Sequence, residues 1–352
     1  MPAPPTSRRR WTVAPLALSL ALTTPSLAAP PDYGLDFVTV GDPGNRGATA
    51  EEAPGLFGGY PGSPSFENPG SVGYEFRIMR NEVTISTWVD FLNAYTPYHD
   101  GPLVGFGDAY YGAGGGSTFT YTAGTGDYPA TGIGWHTAAR FCNWLHNGKV
   151  NEAWAFETGA YDTSHFEPDE NGKYQDSNVR LPGAKYWIPS VDEYIKAAYY
   201  DPNRHGPGQP GYWQYPHMSD EPVTPEQSDV WFEGEWGVTP WIELLGQPVG
   251  QYPDVQSPWG LLGVSGGAGE WLEDPVPSGN NSIRRSIISQ HSGGEWSALL
   301  DDRLDYWLAG GGPSNPYGGF NGLRIASMIP TPSTGLVLIT GALVTTTRRR
   351  TR

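Results

Sequence analysis

Three short stretches of this chain have the apolar spacing of a helix, and nearly everything between them is rich in glycine and proline. The sequence contains 48 glycines and 34 prolines, yet 13% of its residues are aromatic, including 14 tryptophans. Glycine and proline interrupt long helices and strands, whereas disordered chains are poor in aromatic residues. The composition therefore predicts a loop-rich domain with an aromatic core and little regular structure.

The three predicted helices are bounded by recognisable capping residues. Thr84 or Ser86 precedes the first helix, Gly148 closes the second, and Ser190 begins the third. In each of them, apolar residues recur at helical spacing and define one face directed toward a core.

The remaining sequence predicts strands and loops. Alternating apolar residues indicate strands at 36–40 and 74–78, and residues 282–327 are expected to form several short strands. The Gly-, Tyr- and Thr-rich stretch 101–126 is predicted to be a flexible surface loop. Residues 203–258 are aromatic, acidic and proline-rich, with few helix signals.

The N-terminus has the pattern of an exported protein. Residues 1–28 contain three arginines (Arg8–Arg10), then an apolar run, then small residues of the kind that precede a signal-peptidase cleavage site. This pattern predicts a signal peptide that is cleaved after Ala28. The arginines also loosely resemble a twin-arginine signal, but an ordinary Sec signal is favoured.

The C-terminus, residues 329–352, carries Pro330-Thr331-Pro332, a short apolar run and a cluster of arginines. The run is shorter than the ~20 residues that cross a bilayer. The order resembles the PEP-CTERM sorting tail of bacterial exported proteins, with Thr331 in place of the usual glutamate. That resemblance implies processing by an exosortase-type protease and secretion to the cell surface or extracellular matrix, with the tail either cleaved or kept as an anchor. The alternative is a short apolar tail that ends in a cluster of basic residues and has no sorting role.

The charge of the chain restricts its partners. The formal net charge is −16, and seven arginines but no acidic residues lie in the two terminal segments, so the body carries about −23. So acidic a body is repelled by phosphate backbones, which argues against binding nucleic acid.

Cys142 is the only cysteine, so the chain cannot form an intrachain disulfide. It lies on the apolar face of the second predicted helix, with Ala138, Phe141 and Leu145, where burial makes a thiol inert. His146 follows at i+4, which leaves a Cys–His dyad as the alternative. We predict that Cys142 is a core residue.

The order of several short motifs resembles the formylglycine-generating enzyme (sulfatase-modifying factor) superfamily. Five motifs follow the family's order over some 250 residues. They are Glu82-Val83-Thr84; Tyr128-Pro129 through Trp135 with Phe141 to Leu145; Ile188 to Tyr194 with Lys196 to Ala198; Gly260 to Leu262 with Gly266 to Trp271; and Gly322 to Ala326.

The resemblance implies a fold and a domain organisation. The fold is α+β, related to C-type lectins, loop-rich, with few short helices and short antiparallel strands. The domain would span 71–328, preceded by an irregular segment at 29–70.

Catalytic members bind copper through two cysteines in the C-terminal segment. This chain has none there, and His291 alone is a poor substitute for soft thiolates. We therefore expect no catalytic residues, no copper and a pseudoenzyme.

The resemblance also implies calcium. One site would use the carbonyls of Gly266 and Ala268 with the Glu270 carboxylate, although Gly263 replaces a side-chain ligand; the alternative is Glu270 hydrogen-bonded to loop amides. A second site would use Asp229 and the Val230 carbonyl, with Glu243 as an uncertain partner.

Together these observations predict an exported, surface-directed, non-catalytic binding or structural module. Its partners would be surface or matrix glycans or proteins. Five aromatic residues are predicted to stack on sugars, core packing being the alternative for each: Trp213, Tyr215, Trp231, Trp236 and Trp241. The competing hypothesis is an active enzyme of the same superfamily, catalysing an oxidoreductase-type or other reaction on this fold.

Overall fold

The computed structural model describes Met1 and residues 29–52, 67–100, 111–113, 118–164, 166, 179–221, 248–264, 268–277, 283–288 and 321–329. Of residues 111–113, 275–277, 283–288 and 321, only the backbone is described. Residues 29–329 belong to one compact unit. The predicted signal peptide and sorting tail lie outside the described residues, apart from Met1 and Ile329.

The described regular structure is a set of short elements. The strands, in chain order, are β1 (Phe37–Val40), β2 (Phe76–Met79), β3 (Tyr111–Ala113), β4 (Phe119–Tyr121), β5 (Tyr186–Trp187), β6 (Tyr200–Asp201), β7 (Gly211–Tyr212), β8 (Gly269–Pro277), β9 (Ile283–Ile288), β10 (Asn321–Gly322) and β11 (Ala326–Met328). The helices are α1 (Ile85–Tyr95), α2 (Trp135–His146), α3 (Ala153–Glu157) and α4 (Val191–Tyr199), with a 3₁₀ turn at Thr96–Tyr98. The predicted α+β class with short antiparallel strands is confirmed.

A four-stranded antiparallel sheet organises the domain, in the order β1-β2-β11-β5. The strand latest in the sequence therefore lies inside the sheet, where Ala326 is paired with Ile78 on one side and with Trp187 on the other. A second sheet has the order β10-β8-β9, in which β10 runs parallel to β8. The pairs β3-β4 and β6-β7 are hairpin-like.

Two of the three long helices, α1 and α4, begin at a predicted capping residue, and α2 ends at the predicted Gly148. The Thr84 side chain accepts from the backbone N–H of Thr87 at the start of α1. At α4, Ser190 and Glu193 form a reciprocal capping box. After α2, Gly148 takes a φ of +81°, the left-handed conformation that favours glycine at a helix C-terminus.

An aromatic cluster packs α1 against α2. The Phe91 ring centroid lies 4.9 Å from Trp88, 5.3 Å from Phe141 and 5.8 Å from Trp144. Cys142 is buried in the same core. The predicted aromatic core is thereby confirmed.

One local prediction differs from the structure, and one short helix was not predicted. The stretch 101–126 was expected to be a loop, but β3 and β4 pair within it, because alternating Tyr and Thr around the glycines suit a hairpin. The helix α3, of only five residues, has too few turns to show a helical period. Within the described residues, no helix is long and apolar enough to cross a membrane.

Candidate functional site

The only thiol of the chain lies in the core. Cys142, on α2, has no exposed surface. Burial, reinforced by the negative charge of Glu273, raises the pKa of the Cys142 thiol well above its ordinary value. A Cys–His dyad needs a lowered thiol pKa. The prediction that Cys142 is a core residue is confirmed, and the burial and raised pKa of the thiol do not support the dyad alternative.

His146 is held by the segment that precedes β5. Its Nδ1 accepts the Lys185 backbone N–H at 3.2 Å, and Lys185 Nζ donates to the His146 carbonyl oxygen at 3.1 Å. Desolvation, followed by the charge of Lys185, lowers the pKa of His146. A neutral imidazole packed in this way orients Lys185 and stabilises the end of α2.

A buried ionic cluster lies where the N-terminal end of α4 meets β8. Arg180 donates from Nη2 to Glu193 Oε1 (2.9 Å) and from Nη1 to Glu273 Oε2 (2.8 Å). Its guanidinium also stacks over the Trp187 ring at 4.3 Å from the centroid. Two carboxylates thus share one arginine, which joins a helix to a strand.

The two carboxylates of this cluster differ in their surroundings. Glu193 also accepts from the Tyr74 hydroxyl (2.6 Å), the Ser190 backbone (2.8 Å) and the Trp187 indole. Desolvation by burial, opposed by Arg180 and reinforced by Glu193, raises the pKa of Glu273 to about 7. Glu273 therefore binds a proton near neutrality.

A second buried ionic cluster is centred on Arg324, which has no exposed surface. Its Nε donates to both oxygens of Glu270, at 3.0 and 3.2 Å, and its Nη2 lies 2.9 Å from Oε1. The Glu82 carboxylate lies 3.8 Å from Nη2. Arg324 also donates to the carbonyl oxygens of Met79 (2.9 Å) and Leu262 (2.8 Å). This guanidinium ties β2, β8 and the 260–264 loop together.

The Arg324 cluster bears on the predicted calcium site at Glu270. Both oxygens of that carboxylate already face a cation of the chain. At Gly263, a Cβ atom would lie 2.6 Å from Glu82 Oε2, so no side-chain ligand fits there without moving Glu82. The described part of this site does not fit calcium, which needs 6–8 oxygens. Gly266 lies outside the described residues, and the Ala268 carbonyl remains a predicted ligand.

No group of three or more His, Cys, Asp or Glu side chains within the described part of the chain could hold a metal ion. The second predicted calcium site, at Asp229 and Val230 with Glu243, lies outside the described residues and stays a prediction. His291 lies outside them as well.

Two of the five predicted sugar-binding aromatics are described. Tyr215 is buried, 7% exposed. Trp213 is half-buried: its Nε1 donates to Asp201 Oδ2 at 3.1 Å, and the Arg204 guanidinium lies 4.8 Å from its ring centroid. Trp231, Trp236 and Trp241 lie outside the described residues. Only part of the Trp213 ring is therefore accessible to a ligand.

A different set of apolar side chains is exposed near α3. Trp154 is 53% exposed, Tyr98 43% and Val150 37%; we call these three residues the Trp154 surface. The Tyr98 hydroxyl donates to the Asn151 carbonyl oxygen (2.5 Å), and the Trp144 indole donates to Asn151 Oδ1 (3.1 Å). Sequence reasoning missed this surface. No local pattern separates Trp154 from a core residue, since Val150, Ala155 and Phe156 are apolar neighbours of it in the sequence.

Comparison with known proteins agrees with this architecture. The chain matches the family described as "Sulfatase-modifying factor enzyme 1-like domain" over residues 66–328. It is similar to the solved structure described as "Crystal Structure of CarF", with a TM-score of 0.49 and 17% identity, covering 84% of this chain and 98% of that one. It is also similar to Treponema denticola variable protein 1, with a TM-score of 0.45 and 13% identity over 83% of this chain and 95% of that one.

No curated protein matches the chain. The family match covers well over half of the sequence and includes the five motifs, the paired helices and both buried arginine–glutamate clusters. The chain belongs to the family of sulfatase-modifying factor enzyme 1-like domain proteins.

Proposed function

We propose that this chain is an exported, surface-directed protein whose sulfatase-modifying-factor-like domain is a non-catalytic binding module. The observation that carries the proposal is the position of Cys142. Copper(I) chemistry in this superfamily, as the resemblance implies, needs a pair of thiolates, and this chain has one thiol, sealed in the core with a raised pKa. The residues of the chain do not fit a copper centre.

Export is supported by the sequence of the two ends. The arginines, apolar run and small-residue exit of residues 1–28 suit a signal peptide, and residues 329–352 suit a sorting tail that an exosortase-type protease recognises. The acidic body suits a soluble domain outside the cell and argues against phosphate-rich partners.

The alternative is an enzyme that uses other chemistry on this fold. The Glu193–Arg180–Glu273 cluster is the observation that favours it, because carboxyl groups with a pKa near 7 are frequent in active sites. Against it, all three side chains are engaged with one another, and Glu273 is buried. The cluster is accounted for by its role in joining α4 to β8.

The test is an assay for formylglycine formation. The full chain, loaded with copper(I), is incubated with oxygen and a peptide that carries a Cys-x-Pro-x-Arg sequence, and the peptide mass is followed. We expect no conversion, while a family member with two C-terminal cysteines converts the peptide under the same conditions. Conversion that disappears in a Cys142→Ala variant would make Cys142 catalytic and overturn the proposal.

Export has its own test. The N-terminus of the protein recovered from the cell surface is sequenced, and an N-terminus at Ala29 is expected. A variant that lacks residues 329–352 tests the sorting role of the tail. Surface display that is unchanged by the deletion would contradict a sorting role for the tail.

A further inference from the structure

Three exposed residues near α3 form a surface that neither the family nor the aromatic pattern of the sequence assigns. We propose that the Trp154 surface binds neutral pyranose polysaccharides, with Trp154 and Tyr98 stacking on sugar rings. This inference rests on the proposed binding function and names the ligand class and the residues that recognise it.

The first observation is that hydrogen bonds anchor the chain segment that carries the exposed Trp154. Asn151 is fixed at both its carbonyl and its side chain, by Tyr98 and Trp144. Asn147 Nδ2 donates to the carbonyl oxygens of Ala155 (2.9 Å) and Thr158 (2.7 Å), which anchors α3 from the other side. Hydrogen-bonded support of this kind lowers the entropy lost when a ligand binds.

Tyr98 is oriented by the same contacts. Its hydroxyl is bound to Asn151, and its ring centroid lies 5.8 Å from that of Phe156, a buried residue of α3. With its hydroxyl held and one side of the ring supported, Tyr98 presents the rest of its ring to solvent beside the segment that carries Trp154. Aromatic rings presented in this way bind the C–H faces of sugars through dispersion.

The size of the surface favours a small ring over a protein. A fully exposed aromatic side chain offers roughly 150–250 Å², so Trp154 and Tyr98, about half exposed, together present roughly 200 Å². A stable protein–protein interface buries about 800 Å² on each partner. The surface is therefore large enough for one or two sugar rings and too small for a stable complex with a second copy of the chain.

The charge around the surface selects among sugars. Asp100, two residues after Tyr98, and Glu152, two residues before Trp154, are exposed, and carboxylates accept hydrogen bonds from sugar hydroxyls. The ammonium of Lys149, which precedes Val150, lies over the Trp144 ring, 4.6 Å from its centroid. The same carboxylates, on a chain with a net charge of −16, repel anionic polymers. Neutral pyranose chains satisfy both conditions.

The experiment measures oligosaccharide binding by the full chain with isothermal titration calorimetry and affinity electrophoresis. The probes are cellohexaose, mannohexaose and an anionic alginate oligosaccharide. We expect binding to a neutral hexaose and none to alginate. Trp154→Ala should weaken that binding at least about tenfold, and Trp154→Phe, which keeps a ring, should restore part of it.

Two matched controls separate the outcomes. Tyr121→Ala removes a similarly exposed tyrosine, 41%, from β4 and should leave binding unchanged. Trp213→Ala tests the earlier aromatic assignment. If Trp154→Ala leaves binding of a neutral hexaose unchanged and Trp213→Ala abolishes it, this inference is wrong, while the proposed binding function still holds. Binding to neither neutral hexaose would also overturn it. Formylglycine formation, by contrast, would overturn the proposed function itself.

Discussion

Arg324 and Glu270 form a fully buried ion pair, 2.9 Å apart, between residues 54 positions distant in the sequence. Neither side chain has appreciable solvent exposure. A buried pair of this kind gains little over an apolar replacement, yet it is costly to break, because the remaining charge is left without its counter-ion. Its main effect here is to fix β8 against the strand and loop that donate carbonyl oxygens to Arg324.

Removing the charge of Glu270 should therefore destabilise the domain strongly. We expect Glu270→Gln to lower the free energy of unfolding by about 3–5 kcal/mol. The matched control is Asp32→Asn, which breaks the exposed pair between Asp32 and Arg77 and should cost less than about 1 kcal/mol. Urea denaturation of both variants gives the comparison. Equal losses would show that burial does not set the cost.

Calcium at Glu270 is expected to contribute nothing measurable to stability. Arg324 already neutralises that carboxylate, and Gly263 brings no side-chain oxygen. The other predicted site is removed with Asp229→Asn. In that variant, the Tm should be the same in calcium and in EDTA. A higher Tm in calcium that Glu270→Gln abolishes would restore Glu270 as a ligand.

Gly263 is expected to be intolerant of any side chain, for two separable reasons. Its φ of +67° is unfavourable for other residues, and a Cβ atom would lie within 3 Å of the Glu82 carboxylate. Gly124 is the matched control, because its φ of +91° carries the same backbone penalty while nothing lies within 4 Å of its Cβ position. Gly124→Ala should cost about 1–2 kcal/mol and Gly263→Ala more. Similar unfolding free energies for the two variants would contradict the steric role of Glu82.

Stability should fall as the pH rises from 4.5 to about 7. Burial raises the pKa of Glu273 from 4.5 to about 7 and that of Asp192 from 3.8 to about 6. The folded state therefore keeps protons that the unfolded state has released, so the stabilisation present below the ordinary pKa is lost as pH rises through the folded value. For Glu273 the loss is on the order of 3 kcal/mol.

Urea unfolding between pH 4 and pH 8 checks this expectation. Glu273→Gln should remove the larger part of the slope, and Asp192→Asn a smaller part. The opposite trend is expected below pH 4.5. Burial alone would raise the pKa of Glu52, but the hydrogen bonds from Arg46 and from the Tyr212 and Thr49 backbones, together with the charge of Arg46, outweigh it and lower that pKa to about 2. An unchanged slope in Glu273→Gln would show that Glu273 is ionised throughout this range.

The helices were predictable because their signals are local. The apolar faces of α1, α2 and α4 and the caps at Thr84 and Ser190 lie within one or two turns of each other. The position of Cys142 followed from the same spacing. The ionic clusters were not predictable, because Arg180 and Glu273 are 93 residues apart and no local pattern pairs them. Exposure of individual tryptophans was not predictable either. Trp213 and Trp154 both have apolar sequence neighbours, and it is contacts with Asp201 and Arg204 that partly cover Trp213.

The position of β11 has a consequence for how the domain is made. Residues 326–328 pair with β2 on one side and β5 on the other, so the strand that joins the two halves of the sheet is also the last to leave the ribosome. Until it emerges, β2 and β5 each have an open edge, and contacts between positions some 250 residues apart form slowly. The sheet is therefore completed only after residues 326–328 have been synthesised. A chain truncated before residue 326 leaves β2 and β5 without the strand that pairs with both, and unpaired strand edges promote aggregation.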